Sequence, residues 1–247
     1  MTRILVVNPN ISDDVTELIR AEAERAAGPG TEIAVRTASR GVEFIETRFE
    51  ALLAAYAVAE ILAEEHERVD AAVIAAFGDP GMPALREAVD IPVIGITEAS
   101  LHTAAMLGAR IGVVAISARM RAWYTETIES LGFGPRLAGF RSLDRPVGGV
   151  RGVQREARAR LLELARMSVS EDGADVLLLA GAPLAGLART VVDELPVPVV
   201  DGVSAGVRQA TAIALAAPAP HRTGSFARPP VKPNRGLPPA IERLLHG

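Results

Sequence analysis

The sequence predicts an α/β protein of two pseudo-symmetric Rossmann-like lobes, each built on a parallel four-stranded sheet, with a cleft between them. Three observations carry this. Short apolar runs alternate with helical stretches four times before Gly108, the pattern of parallel strands joined by right-handed crossovers. The pattern then restarts: Ile111-Gly-Val-Val-Ala115 repeats Ile4-Leu-Val-Val-Asn8 at a spacing of 111 − 4 = 107. Asp175 repeats Asp70 (175 − 70 = 105) and Pro198-Val-Val200 repeats Pro92-Val-Ile94 (198 − 92 = 106). Such constancy favours an internal duplication over chance matching of apolar strands. Finally, 49% of residues are apolar but only 4% aromatic, so Ala, Val, Leu and Ile must build the core, as in sheets covered by Ala-rich helices.

Taken in order, Arg3–Asn8 is a buried strand closed by Asn8-Pro9-Asn10. Ser12 or Asp13 caps a helix over 14–27 with Val15, Leu18 and Ile19 on one face, and Gly28-Pro-Gly30 stops it. Glu32–Ala38 is a second strand, 41–46 a loop and 48–67 a long helix. The strand Ala71–Ala75 runs into Phe77-Gly-Asp-Pro-Gly81, then a short helix through Leu85. Strand Pro92–Ile96 and helix Glu98–Leu107, ended by Gly108, complete the first half. The expected lobes are 1–97 with 204–247, and 98–203. From Ala217 onward, prolines at 218, 220, 229, 230, 233, 238 and 239 exclude a helix until Ala240–His246. This is either a linker or an arm packed across the molecule.

Composition excludes several function classes. A net charge of −4 makes no case for a nucleic-acid partner. With no cysteine there is no disulfide, thiolate metal site or thiol nucleophile, and the four histidines (66, 102, 221, 246) make no ligand pair at helical spacing, so no metal is expected. No basic-then-apolar leader precedes Ile4 and no apolar run reaches the ~18–20 residues that span a bilayer, so a cytoplasmic protein with no membrane partner is expected.

In open parallel sheets ligands sit beyond the carboxyl ends of the strands. Facing halves therefore make one cleft, with Asn8 opposite the Ala115-Ile116-Ser117 corner and Ala76–Gly78 opposite Gly181–Pro183. Ala76 and Gly181 are matched, each six residues after its leading aspartate.

Asn8-Pro9-Asn10, Ile45-Glu46, Phe77-Gly-Asp-Pro-Gly81, Pro92-Val-Ile-Gly-Ile96 with Glu98-Ala99, Val199-Val-Asp-Gly202 and the tail from Gly224-Ser-Phe226 to Pro233 together resemble the hydantoin and allantoin racemases, of the cofactor-independent aspartate/glutamate racemase superfamily. The resemblance spans essentially the whole chain. It implies two Rossmann-like lobes, an active site between them, no cofactor, and racemisation by two cysteines on opposite faces of the substrate Cα. Inversion needs an acid and a base on opposed faces, and thiols suit the task because their ordinary pKa of ~8.5 is readily lowered. By motif the thiols belong at Ala76 and Gly181, where neither side chain carries a proton.

The acid/base candidates that remain are Asp79, Glu46, Glu98 and His102. Asp79 is more readily a turn residue than a base, and Glu98 and His102, at i and i+4, can pair on one helix face. Asn8 and Asn10 either donate to a substrate carbonyl or carboxylate or form Asx-turns. Phe77, Gly78, Ala182, Pro183, Ser117 and Tyr124 complete the expected substrate-binding set, and Gly181 is expected to leave a roomy pocket. Three readings stand open: an isomerase-like enzyme on a small carbonyl compound without the two-thiol pair, a ligand-binding pseudoenzyme, and a decarboxylase or lyase. A small-molecule ligand and a homo-oligomer are expected.

Overall fold

The computed structural model describes residues 1–143, 152–216 and 223–246. The residues from Ala217 to Arg222, with Pro218, Pro220 and His221, lie outside these.

In chain order the first half runs β1 (Thr2–Asn8), α1 (Asp13–Ala26), β2 (Thr31–Thr37), α2 (Arg48–Glu65), β3 (Ala71–Ile74), α3 (Met82–Ala88), β4 (Val93–Gly95) and α4 (Ile96–Leu107). The second half runs β5 (Ile111–Ala115), α5 (Arg121–Ser130), β6 (Leu137–Ser142), α6 (Val153–Glu156), α7 (Arg158–Ser170), β7 (Val176–Ala180), α8 (Leu187–Val191), β8 (Val199–Asp201) and α9 (Gly202–Leu215), before α10 (Pro239–His246). Every pairing is parallel, and the two sheets have equivalent orders, β2-β1-β3-β4 and β6-β5-β7-β8. The paired strand β2/β6, which the sequence reading did not isolate in the second half, keeps the same spacing from Thr31 to Leu137 (137 − 31 = 106).

The duplication extends to polar detail. Each central strand pair starts with an aspartate tied to the neighbouring strand: the Asp70 carboxylate accepts the Arg3 amide at 2.7 Å, and that of Asp175 accepts the Arg110 amide at 2.8 Å. These carboxylates satisfy amides at the leading ends of β1 and β5 and fix the register of the strands that carry the site. The apolar strands β3, β5 and β7 are buried along their length, as parallel strands covered on both faces must be.

Helix ends follow their sequence signals. Ser12 caps α1, accepting the Val15 amide. Thr47 and Glu50 form a reciprocal capping box at the start of α2, and the Glu50 carboxylate also accepts the Glu46 amide at 2.8 Å. This pins the loop before α2. Helices α4 and α9 link the halves: they pack on each other, α4 also reaches β7, and α9 reaches β1, β3 and β4. Among the described residues no helix is long and apolar enough to cross a membrane.

The C-terminal arm packs on the first half. Arg228 bonds Asp90 at 2.8 Å, the Arg86 guanidinium lies 5.7 Å from the Phe226 ring centroid, and α10 packs on α2 with Leu244 buried. Lys232 is exposed, so arginine and phenylalanine anchor the arm.

Candidate active site

Two strand-end turns meet across the halves. After β3 the chain turns through Phe77–Gly81, where Gly78 (φ +98°), Asp79 (φ +44°) and Gly81 (φ +79°) all adopt the left-handed region. Asp79, the only non-glycine residue so placed among those described, is held there by its carboxylate. One oxygen accepts the Thr97 amide at 2.8 Å and the other the Glu98 amide at 2.9 Å, both in the first turn of α4. The Gly78 amide donates to Thr97 Oγ1 at 2.6 Å. A Cβ on Gly95 would stand 2.0 Å from the Asp79 carboxyl carbon, so the helix approaches this closely only because residue 95 is glycine. Burial pushes Asp79 up to about 7 despite its two amide donors.

The second turn uses the same parts exchanged. Here the acid is on the helix side: Asp201 caps α9 by accepting the Ser204 amide at 3.0 Å and reaches back to the Gly186 amide at 2.6 Å. The first half has acid on the loop and glycine at the helix start, whereas the second has glycine on the loop and acid at the helix start. Burial raises Asp201 as well. Gln154 of α6 clamps the turn from outside, donating to the carbonyls of Pro183 (2.9 Å) and Ala185 (2.8 Å). Gly181 has φ +111°, a backbone side chains rarely adopt, although a Cβ there would find only ordinary contacts, with Pro183 at 3.6 Å and the Tyr124 hydroxyl at 3.9 Å.

Aromatic residues of α5 close the junction. The Tyr124 ring centroid lies 4.7 Å from that of Phe77, and the Trp123 indole covers Gly78. Between the turns is a narrow cavity of about 30 Å³, lined by Ala76 and Phe77 from one side, Gly181, Ala182 and Pro183 from the other, and closed by Asn10, Phe44, Ile45, Ile116, Met120 and Tyr124. Its lining is apolar except for the Asn10 amide and the Tyr124 hydroxyl. Burial, with the nearby carboxylates of Asp79 and Glu46, holds that phenol well above its ordinary range, so it is a neutral donor at pH 7.

A family model described as Asp/Glu/hydantoin racemase matches residues 4–210. The chain belongs to this racemase family. It is 35% identical to the hydantoin racemase of Paenarthrobacter aurescens over 232 residues, 93% of this chain and 98% of that protein. The hydantoin racemase of Pseudomonas sp. (strain NS671) is 37% identical over 215 residues, 85% of each chain. Among solved structures, the allantoin racemase from Klebsiella pneumoniae superposes with a TM-score of 0.92 at 36% identity, covering 98% of this chain and 99% of that one. The two parallel four-stranded sheets are those of the racemase two-lobe fold.

Within that fold, the matched positions Ala76 and Gly181 do share one cavity, as the repeat predicts. Asn10, Phe77, Tyr124, Ala182 and Pro183 join them there. Other expected residues stand outside the lining. Asn8 is fully buried and its amide donates to Asn10 Oδ1, the Ser12 carbonyl and Thr16 Oγ1; the Asx-turn alternative holds, with the Asn10 amide on Asn8 Oδ1 at 3.2 Å and the Ser12 amide on Asn10 Oδ1 at 2.9 Å. Ser117 caps a short turn by accepting the Arg119 amide at 3.3 Å, and Ile116 lines the cavity instead. Gly78 lies beneath Trp123.

The acid/base candidates separate in the same way. The Glu98–His102 pair does not form: Arg86 takes Glu98 in a two-pronged ion pair, with one contact at 3.1 Å, because a planar guanidinium competes better for a carboxylate than an imidazole one turn away. His102 is exposed and lies edge-on to Phe133, centroids 5.1 Å apart. Asp79 caps α4. Glu46 is half-buried next to the cavity residue Ile45, is not itself among the lining residues, and its charge contributes to raising the Tyr124 phenol. The roomy pocket expected from Gly181 is also corrected, because Phe44, Ile45, Met120 and Tyr124 occupy the space. Phe44, Met120 and Gln154 escaped the sequence reading; only Phe44 carried a signal, its position next to the Ile45-Glu46 motif.

Proposed function

We propose that this protein is a cofactor-independent, isomerase-like enzyme of the racemase family that acts on a small carbonyl compound such as a hydantoin, allantoin or a related carboxylate, without a two-thiol acid/base pair. In this reading the Glu46 carboxylate and the Tyr124 hydroxyl exchange the Cα proton. The observation that carries it is elimination within one cavity. Ala76 and Gly181, the positions where the resemblance puts thiols, carry no ionisable atom, while Asp79 and Glu98 are committed to α4 and Arg86. Tyr124 remains as a neutral donor inside the cavity, and Glu46, which follows the lining residue Ile45 in the chain, is the carboxylate whose charge reaches that hydroxyl. A proton α to a carbonyl is weakly acidic, and inversion requires a base that takes it from one face of Cα and an acid that delivers a proton to the other, solvent then restoring the protonation of both groups. Glu46 from the first half and Tyr124 from the second supply these two roles.

Ligand entry requires the halves to part. A cavity of about 30 Å³ holds roughly one or two waters and is too small for a five-membered ring. We place the boundaries of the moving lobes at 97/98 and 203/204, near the linking helices α4 and α9, so that opening separates the two turns. The test is incubation with enantiopure 5-substituted hydantoins and allantoin in D₂O. Cα–H exchange and loss of optical rotation above the uncatalysed rate support the proposal; ligand-induced stabilisation without exchange marks a binding protein instead.

A further inference from the structure

Glu46 and Tyr124 each stand two residues from one partner of a single ion pair. Glu46 is fixed to the first turn of α2, because the Glu50 carboxylate accepts its amide at 2.8 Å and that of Thr47 at 2.9 Å. Arg48 opens the same turn. On α5 the buried Trp123 and Tyr124 are followed by the exposed Glu126. The Arg48 guanidinium grips the Glu126 carboxylate through two donors, Nε on Oε2 at 2.8 Å and Nη2 on Oε1. Such a two-pronged pair between planar groups fixes direction as well as distance.

This pair differs from the other charges that cross between the halves. Among the described residues two further ion pairs do so, and both are tied to the linking helices. Arg86 ends on Glu98 in the first turn of α4, and Glu22, which meets Arg189 of α8 at 3.4 Å, also accepts the Ser204 hydroxyl of α9. Arg48–Glu126 instead joins α2 to α5, neither of which adjoins a proposed lobe boundary. An opening that draws Phe77 away from Tyr124 draws α2 from α5 as well, and the pair breaks.

We propose that Arg48 and Glu126 are positioning residues whose ion pair latches the two halves shut and so holds Glu46 toward Tyr124. The catalytic consequence rests on the proposed Glu46–Tyr124 reaction, whereas the closure does not. With side chains 57% and 58% exposed, the pair adds little to the stability of the whole fold. Closing one junction is a much smaller change than folding, and a bias of a few fold is enough to set the balance between open and closed forms. The same turn of α2 follows directly on Phe44 and Ile45, so the latch also braces the loop that closes the cavity.

Charge reversal tests the latch in the full chain. An acidic residue suits the first turn of a helix and arginine is a good helix former, so Arg48→Glu and Glu126→Arg should leave far-UV circular dichroism unchanged. Trp123, the single tryptophan, lies buried across the junction on Gly78, so acrylamide quenching of its emission reads the open fraction. Each reversal alone is expected to raise that fraction by about two- to fivefold, the range an exposed pair supplies, and the two together to return it near the wild-type value. Cα–H exchange of an enantiopure 5-substituted hydantoin in D₂O is expected to follow, with kcat lower in each single variant and recovered in the double. Quenching that neither single reversal raises, or that the double does not restore, overturns the proposal. Wild-type exchange that neither single reversal lowers overturns the positioning role. Restored quenching in a protein whose wild type shows no exchange supports the latch and contradicts the proposed reaction instead.

Discussion

The indole of Trp123 covers Gly78 so closely that a Cβ on that glycine would stand 2.2 Å from the ring. The two residues come from opposite halves: Gly78 from the turn after β3 and Trp123 from α5. This contact joins the Phe77–Gly81 turn to the second half directly beside the cavity, and Tyr124 continues it onto Phe77. The left-handed backbone of Gly78 (φ +98°) adds a second reason for glycine.

Gly78→Ala should therefore destabilise the protein by about 2–4 kcal/mol, combining overpacking with backbone strain. Urea unfolding measures this. Trp123 is the single tryptophan, and its buried ring reports on the junction. Its emission should shift to the red in the variant. In a double-mutant cycle, Trp123→Ala should recover the overpacking part of the loss and leave the strain part.

The buried Asp79 should make stability fall as pH rises. Its folded pKa, about 7, lies above the ordinary aspartate value of 3.8, so the folded state holds its proton more tightly than the unfolded state. That contribution is fully present below about pH 4 and is lost as pH rises through 7. Asp79→Asn should abolish this fall, worth up to a few kcal/mol at roughly 1.4 kcal/mol per pKa unit, although it also weakens the cap on α4. Thermal melts of both proteins from pH 4 to 8 test the difference in slope.

Glu22 should act in the opposite sense. Only 2% exposed on α1, it accepts hydrogen bonds from Arg25, Ser204 and Arg189 of α8. Burial alone would raise its pKa, but these donors together hold it below the usual carboxylate value. Its stabilisation is present above about pH 4.5 and is lost as pH falls through the depressed folded value. Glu22→Gln should cost about 1–3 kcal/mol at pH 7, a moderate figure because both arginines reach solvent, and should converge with wild type in acid. Because α1 packs on the Ala182–Leu184 turn, the variant should also loosen that side of the cavity, measurable as faster amide exchange there.

Gly181 combines open space with a restrictive backbone. Gly181→Ala should cost about 1–3 kcal/mol through its φ of +111°, with no contribution from crowding. Ala76→Cys carries no such conflict. A double substitution to cysteine should thus regain racemisation only in part, with the strain at 181 limiting the second thiol. Hydantoin racemisation by the single and double variants checks this order.

Much of this architecture was legible because it is repeated. The leading aspartates Asp70 and Asp175, followed six residues later by Ala76 and Gly181, located both turns, and the structure puts those turns on one cavity. Strand β6 was not legible, since Leu137–Ser142 lacks the continuous apolar run of a central strand; as an edge strand it is mostly half-buried. Contacts set by packing angle left no local trace, among them Trp123 on Gly78, Asp79 against Gly95 and Gln154 on Pro183. Glu98 and His102 misled for a related reason: helical spacing brings two residues to one face but does not reveal Arg86 arriving from another helix.

The central claim is that Glu46 and Tyr124 move the proton in place of thiols. Its most direct measurement is Cα–H exchange of an enantiopure 5-substituted hydantoin in D₂O, compared among wild type, Glu46→Gln and Tyr124→Phe. Exchange in the wild type that falls by about 10²-fold or more in each folded variant is the expected result, the range typical of losing a general acid or base. Exchange that survives both substitutions undiminished, or is absent from the wild type, would contradict the claim.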